Sequence, residues 1–317
     1  MRKIRNALLT RRAVIKHSLI GGAGLALVGR GVFAADSGAS LPLITKAIPS
    51  TGERLPVIGL GTNAFSVTEA DELAARKEVQ QHFPQLGARV VDTARGYGEA
   101  EVVIGKLISE LGNRDRLFLA TKTTNRGQPK PGDGELEEAL ARLQTTRIDL
   151  LQIHNFNGVD ELFPRLKEWK QAGKIRYIGV TTSTDEQYPQ MLNALKTLPL
   201  DFIQVDYSIE NRGAGDEILP LAKDKGVAVL GNVPLGGRRG NLLSKVSGKP
   251  LPPWASEIDV TSWAQLLLKY NVSHPAITAV IPGTTKLSHL QDNQLAARGR
   301  LPDAALRKRI EQYWETV

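Results

Sequence analysis

The sequence predicts a (β/α)8 barrel, and three observations carry that expectation. Eight short apolar runs rich in Val, Ile and Leu recur between residues 57 and 281. They lack the strict alternation of a half-exposed sheet, so each reads as a strand buried on both faces. Segments with helical apolar spacing lie between them, and eight such repeats over roughly 280 residues match a barrel. No Gly-rich dinucleotide-binding turn follows the first run, which leaves the doubly wound open sheet as the runner-up.

The first 35 residues stand apart. They hold Arg2, Lys3, Arg5, Arg11, Arg12, Lys16 and Arg30 and no acidic residue. A basic stretch ending Thr10-Arg11-Arg12 is followed by a mildly apolar run, Ser18 to Val28, and then by Val32-Phe33-Ala34. Basic start, short apolar middle and small-residue exit are the order of a signal peptide. The T-R-R-x-x-x-K arrangement resembles a twin-arginine export signal. The apolar run is about eleven residues, too short to cross roughly 30 Å of hydrocarbon, so no stable membrane anchor is expected. The reading is therefore a signal peptide over 1–35, a single barrel domain over 36–317, the twin-arginine translocase as a transient partner, and a periplasmic destination. Exchanging Arg11 and Arg12 together for Lys is expected to hold the protein in the cytoplasm, as cell fractionation would show. Normal periplasmic levels of that variant would rule the export reading out.

Within the barrel domain each element has its own signal. Ile44 to Leu55 reads as a hairpin turning at Thr51-Gly52, ahead of the first barrel strand. The strands follow at Val57–Gly61, Arg89–Asp92, Leu117–Thr121, Ile148–Ile153, Ile175–Val180, Phe202–Val205, Val227–Leu230 and Ile277–Ile281. Helices are expected over Glu99–Leu111, Glu135–Leu143 and Glu161–Gln171, where Leu, Val and Trp residues recur on one face. Gly112, Gly173 and Gly226 stand where such helices end. Asn232 to Asp259, rich in Gly and Pro, reads as a long functional loop after the seventh strand, over the barrel mouth.

Composition narrows the function. The chain carries 41 basic and 33 acidic residues, a net +8, which alone would suggest an acidic partner. Without the first 35 residues, 34 basic side chains face 33 acidic ones, so charge gives no argument for nucleic-acid binding. There is no cysteine, which excludes disulfides, thiolate metal sites and a Cys nucleophile. The five histidines form no metal-ligand motif, and no metal is expected.

Barrel enzymes build their sites where strands end. Here the second strand ends at Asp92 with Tyr97 in the loop beyond it, the third ends at Lys122, and the fourth runs into His154. Each alone has an ordinary structural explanation; together they form a chemical unit. An ammonium beside a phenol favours its ionisation and makes it a better acid, and a carboxylate holds that ammonium charged. A neutral imidazole can orient a substrate oxygen. The sum is a general acid set to protonate an oxygen at which negative charge develops. The missing reductant must be a cofactor.

From about Ile48 to the C-terminus the sequence resembles the aldo-keto reductase superfamily. The matching stretches include V-I-G-L-G-T (57–62), V-V-D-T-A-R-G-Y-G-E-A-E (90–101), L-A-T-K (119–122), R-I-D-L-L-Q-I-H (147–154), F-I-Q-V-D-Y-S (202–208), G-V-A-V-L-G-N-V-P-L-G (226–236) and A-V-I-P-G-T-T-K-L-S-H-L-Q-D-N (279–293). The resemblance implies a barrel binding NADPH across its mouth, hydride transfer to an aldehyde or ketone carbonyl, and a tetrad of Asp92, Lys122, His154 and Tyr97, with Tyr97 as the acid. It carries the cofactor over to Thr181, Thr182, Gln204, Asn232, Pro234, Leu235, Gly236, Gly283, Thr284, Thr285, Lys286, His289, Asp292 and Asn293. Gln204 falls where the family holds the nicotinamide carboxamide.

Three positions depart from the family pattern. Thr182 replaces an Asn, Asn232 replaces an aromatic ring, and His289 stands where an Arg often grips the 2′-phosphate, so NADH stays open beside NADPH. Phe65, Arg95, Phe156 and Trp254 are the candidates for the substrate pocket. A monomer acting on a small-molecule carbonyl is the expectation. The competing functions are a cofactor-bound, non-catalytic partner protein on the same fold, and a Schiff-base lyase built on Lys122.

Overall fold

The computed structural model describes residues 41–125, 127, 130, 134–237 and 240–317. The segment read as an export signal lies outside the described residues. Ten strands and ten α-helices form among the described residues. Strands β1 (Thr45–Ala47) and β2 (Arg54–Pro56) pair antiparallel. The next eight are β3 (Leu60–Gly61), β4 (Val90–Asp92), β5 (Phe118–Lys122), β6 (Ile148–Ile153), β7 (Ile175–Thr181), β8 (Phe202–Asp206), β9 (Ala228–Asn232) and β10 (Ala279–Val280). They pair in sequence order, all parallel.

The two ends of this sheet meet. Ile58 bridges Val280 and Gly61 bridges Gly283, with Gly59 N donating to Val280 O at 2.8 Å and Gly61 N to Pro282 O at 3.0 Å. The second glycine of V-I-G-L-G-T thereby has a structural reason. A Cβ on Gly61 would sit 2.7 Å from Ile281 O, so any larger residue would push the closing strands apart.

Parity along the strands then decides what faces inward. Val90, Phe118, Ala120, Leu150, Tyr177, Phe202, Ala228, Leu230, Ala279 and Ile281 pack together in one cluster. Phe118, Tyr177 and Phe202 form its aromatic layer, with ring centroids 5.5 to 5.9 Å apart. Ile48 and Leu55 from the β1–β2 pair join the same cluster, so this hairpin plugs the floor of the barrel. Lys46 fastens it there, its Nζ donating to Val272 O, His274 O and Ile277 O at 2.6 to 2.9 Å. Burial, and then the Arg307 charge, push this ammonium down to about 8.

The intervening residues of the strands face outward into the helical layer, as Val91, Leu119, Leu151, Ile178, Ile203 and Val229 show. The helices are α1 (Ala70–His82), α2 (Ala100–Leu111), α3 (Gly134–Arg142), α4 (Val159–Gln171), α5 (Tyr188–Thr197), α6 (Ile218–Asp224), α7 (Leu242–Lys245), α8 (Trp263–Val272), α9 (Leu287–Leu295) and α10 (Ala304–Trp314). Gly112, Gly173 and Gly226 have φ of 58°, 72° and 66°, the left-handed turn that stops a helix. The Gly- and Pro-rich stretch after β9 holds the four-residue α7 and a 3-10 turn at Pro253–Ile258. No helix among the described residues is long and apolar enough to cross a membrane.

Candidate active site

The inward parity that builds the core also builds the site. One step above Val90, Ala120 and Leu150 on the same strand faces lie Asp92, Lys122 and Gln152, where the interior turns from apolar to polar. Lys122 and Asp92 are each 2% exposed. Lys122 Nζ donates to Asp92 Oδ2 at 2.5 Å and to Thr93 O at 2.9 Å. Burial alone would push this ammonium down. Burial is the largest single influence, but the Asp92 carboxylate and the Tyr97 phenol together outweigh it, and the group is held above its usual value.

Tyr97 and His154 complete the group. Lys122 Nζ lies 5.2 Å from the Tyr97 ring centre. The Tyr97 and His154 rings meet edge to face, with centroids 6.2 Å apart. The loop carrying Tyr97 is held from three sides. Ser66 Oγ accepts from Glu99 N at 2.9 Å, and Arg142 Nη2 donates to Gly98 O at 2.5 Å. Glu101, at the start of α2, is fully buried and accepts from Thr121 Oγ1 at 2.6 Å and Arg142 Nε at 3.0 Å. Burial pushes its carboxyl up, against the opposing pull of Thr121 and Arg142. Because Thr121 adjoins Lys122, the Tyr97 loop and the Lys122 strand are tied together.

The backbone near the site is strained. Asn155 and Phe156, directly after His154, have φ of 51° and 59°, and the β-branched Val233 has φ of 44°. Asn155 is held by its neighbours: its N donates to Thr181 Oγ1 at 3.2 Å and its O accepts from Gln187 Nε2 at 3.1 Å. Strain of this kind persists only where surrounding contacts enforce it.

A cleft of about 1420 Å³ opens over this group. Asp92, Tyr97 and His154 line one part of it, and His289, Asp292 and Asn293 of α9 another. A family model described as the Aldo/keto reductase family matches residues 57–314. The chain belongs to this family. It is 35% identical to the aldo-keto reductase YhdN of Bacillus subtilis over 204 residues, 58% of this chain and 60% of that relative. Aldo-keto reductase yakc [NADP(+)] of Schizosaccharomyces pombe is 25% identical over 307 residues, 81% of this chain and 88% of that one. A solved aldo-keto reductase of Bacillus halodurans in its holo form superposes with a TM-score of 0.68 at 25% identity, covering 86% of this chain and 96% of that one.

In this aldo/keto reductase the expected cofactor residues divide. Thr181, Thr182, Gln204, Asn232, Pro234, Leu235, Gly283, His289, Asp292 and Asn293 line the cleft. Gly236, Thr284, Thr285 and Lys286 are not among its lining residues. Several side chains expected to reach a ligand are engaged within the protein. Thr182 Oγ1 lies 2.7 Å from Gln187 Oε1 and 3.1 Å from Thr184 O. Both Asp292 oxygens accept at 2.7 Å, from Ser262 Oγ and from Gln265 Nε2, and join α9 to α8. Thr284 Oγ1 accepts from Lys286 N at 3.3 Å at the start of α9.

None of the four residues expected at the substrate pocket is among the residues lining the cleft. Phe65 is fully buried, with the Arg76 guanidinium 5.9 Å from its ring centre. Arg95 is paired with Glu138. Phe156 has a left-handed backbone, φ 59°, and is half-buried against the main core cluster. Trp254 is 8% exposed, packed edge-on against Tyr313 of α10 at 5.8 Å with Arg309 over its ring. The cleft also has lining residues that the sequence reading did not single out. Asn63, Asn125 and Asn155 line the cleft, each within three residues of a strand end, the position that should have flagged them. Leu243, Val246 and Trp263 add an apolar wall. Trp263 is anchored by Nε1 donating to Lys249 O at 2.9 Å and by stacking on Tyr313.

Proposed function

We propose that this aldo/keto reductase is an exported, NADPH-dependent carbonyl reductase that turns an aldehyde or ketone into an alcohol, with Tyr97 as proton donor. The observation that carries the reading is the buried Lys122–Asp92 pair beside Tyr97, with the His154 ring edge-on to it in one cleft. The chain's relationship to a relative named for NADP(+) supports the choice of cofactor.

The residues present suit a dinucleotide. Asn232 Oδ1 is buried in the cleft wall without a protein hydrogen-bond partner, as an acceptor for an amide N–H would be. The start of α9 has no side-chain cap on its first N–H groups, a setting that suits phosphate. Gly283 brings bare backbone to the wall. Gln204 and Asn232 would hold the nicotinamide end, and Gly283, His289 and Asn293 the adenosine end.

When bound, the cofactor supplies a hydride to the carbonyl carbon. Charge then gathers on the carbonyl oxygen, and Tyr97 Oη gives it a proton, which completes the alcohol. Lys122 favours the phenolate left behind, and Asp92 keeps Lys122 charged and aimed. His154, with its ring edge to Tyr97, orients the substrate oxygen. Neighbouring Leu235, Leu243, Val246 and Trp263 shed water from the cleft wall. The test is loss of nicotinamide absorbance when purified protein and NADPH meet a panel of aldehydes and ketones. Turnover with at least one carbonyl class is expected. Tight NADPH binding without turnover on the whole panel would refute the reading and favour a non-catalytic, cofactor-bound protein.

A further inference from the structure

A directional chain of side-chain amides runs from the cleft wall to the buried ion pair. Asn232 Nδ2 donates to Thr182 O at 2.9 Å and to Gln204 Oε1 at 3.4 Å. Gln204 Nε2 donates to Asp92 Oδ1 at 2.8 Å. The other Asp92 oxygen takes the Lys122 ammonium at 2.5 Å. Register explains the assembly: β8 lies between β7 and β9, Gln204 stands opposite Thr181, and Asn232 opposite Asp206.

We propose that Asn232 is a positioning residue: it fixes the orientation of the Gln204 side-chain amide and, through it, the Asp92–Lys122 pair. A carboxamide has one donor end and one acceptor end, and rotation by a half-turn exchanges them. The Thr182 carbonyl can only accept, so Asn232 must present its NH2 on that side. The same NH2 then faces Gln204 and selects its oxygen. Gln204 is left with its NH2 towards Asp92, where a carboxylate needs a donor. Gln204 is 2% exposed, so no bulk water is at hand to compensate a wrong orientation. Asp92 selects the NH2 end of Gln204, and Asn232 holds the other end; without Asn232 the Gln204 oxygen loses its donor, and the amide is free to tilt away from Asp92. The proposal rests on the reading that the Asp92–Lys122 pair serves Tyr97, but its decisive measurement does not need turnover.

That measurement is nuclear magnetic resonance of the whole protein, free of cofactor, with only its glutamines isotope-labelled. The Gln204 side-chain amide pair is identified by its loss in Gln204→Leu. In the unaltered protein the Asp92 charge should displace this pair from the ordinary amide position. Asn232→Leu, which keeps the volume, and Asn232→Ser, which keeps polarity, should both return it towards that position. Near-ultraviolet circular dichroism confirms that each variant is folded. Asn232→Leu should also slow carbonyl turnover roughly tenfold, the loss expected from one misdirected hydrogen bond to a charged group. A Gln204 pair unmoved by both Asn232 variants would overturn the proposal. A protein that reduces no carbonyl at all would defeat the functional reading, while the resonance would still decide the role of Asn232.

Discussion

Tyr97→Phe is expected to remove nearly all carbonyl turnover while NADPH still binds. The change deletes one hydroxyl and keeps the ring that faces His154 and lies beside Lys122. Packing is therefore preserved, and stability should stay within about 1 kcal/mol of the parent, the worth of a single hydrogen bond. The proton donor is gone, however. General acids contribute about a hundred- to ten-thousand-fold, so the rate constant for turnover should fall into that range. Because the loss lies in the reaction step, cofactor affinity measured by fluorescence titration should be unchanged. Wild-type turnover in this variant would show that another group delivers the proton.

Lys122→Met should damage both stability and rate. Methionine matches the lysine stem in length, but it leaves the Asp92 carboxylate inside the barrel without its cation. Gln204 Nε2, at 2.8 Å, would still donate to Asp92, but it carries no charge to replace the ammonium. Breaking a buried pair from one side costs about 3–5 kcal/mol, so Tm should fall by roughly 5–10 °C. The companion variant separates the two roles. Adding Asp92→Asn removes the stranded charge and should recover most of the lost stability, yet turnover should stay low because no ammonium supports the Tyr97 phenolate. If Lys122→Met alone melted with the parent, the pair would not be as deeply buried as its 2% exposure implies.

The parts of the site that were legible in the sequence are those whose direction is set by strand parity. Asp92, Lys122 and Gln204 sit on strands, where every second residue points inward, and the barrel brings all three into one polar layer. Helix ends were legible for a similar reason, since a glycine at the stop has one local job. The unreadable residues lie beyond the strand ends, where loop dihedrals decide direction. Phe156 is two residues past His154, where a left-handed backbone breaks the alternation of the strand, and it is not among the residues lining the cleft. Trp254 lies in the loop after the seventh strand, but its partners, Arg309 and Tyr313, come from the last helix. Thr182 stands where the family pattern has an Asn, and its hydroxyl is engaged by Gln187, five residues on. The bond from Gln204 to Asp92 joins residues 112 apart and could not be inferred from either neighbourhood.

The seam that closes the sheet, Ile58 against Val280, also governs when this chain can become a barrel. The two sides of the seam are 222 residues apart, the distance between the bridged positions. During synthesis β4 to β9 can pair with their neighbours in order as they emerge. β3 must wait with one edge bare until almost the whole chain has left the ribosome. Contacts of such long range form late and slowly, and an uncovered strand edge invites pairing with another chain in the meantime. A chain cut short before Val280 would therefore keep two open edges, on β3 and on β9, and self-association would be its characteristic failure.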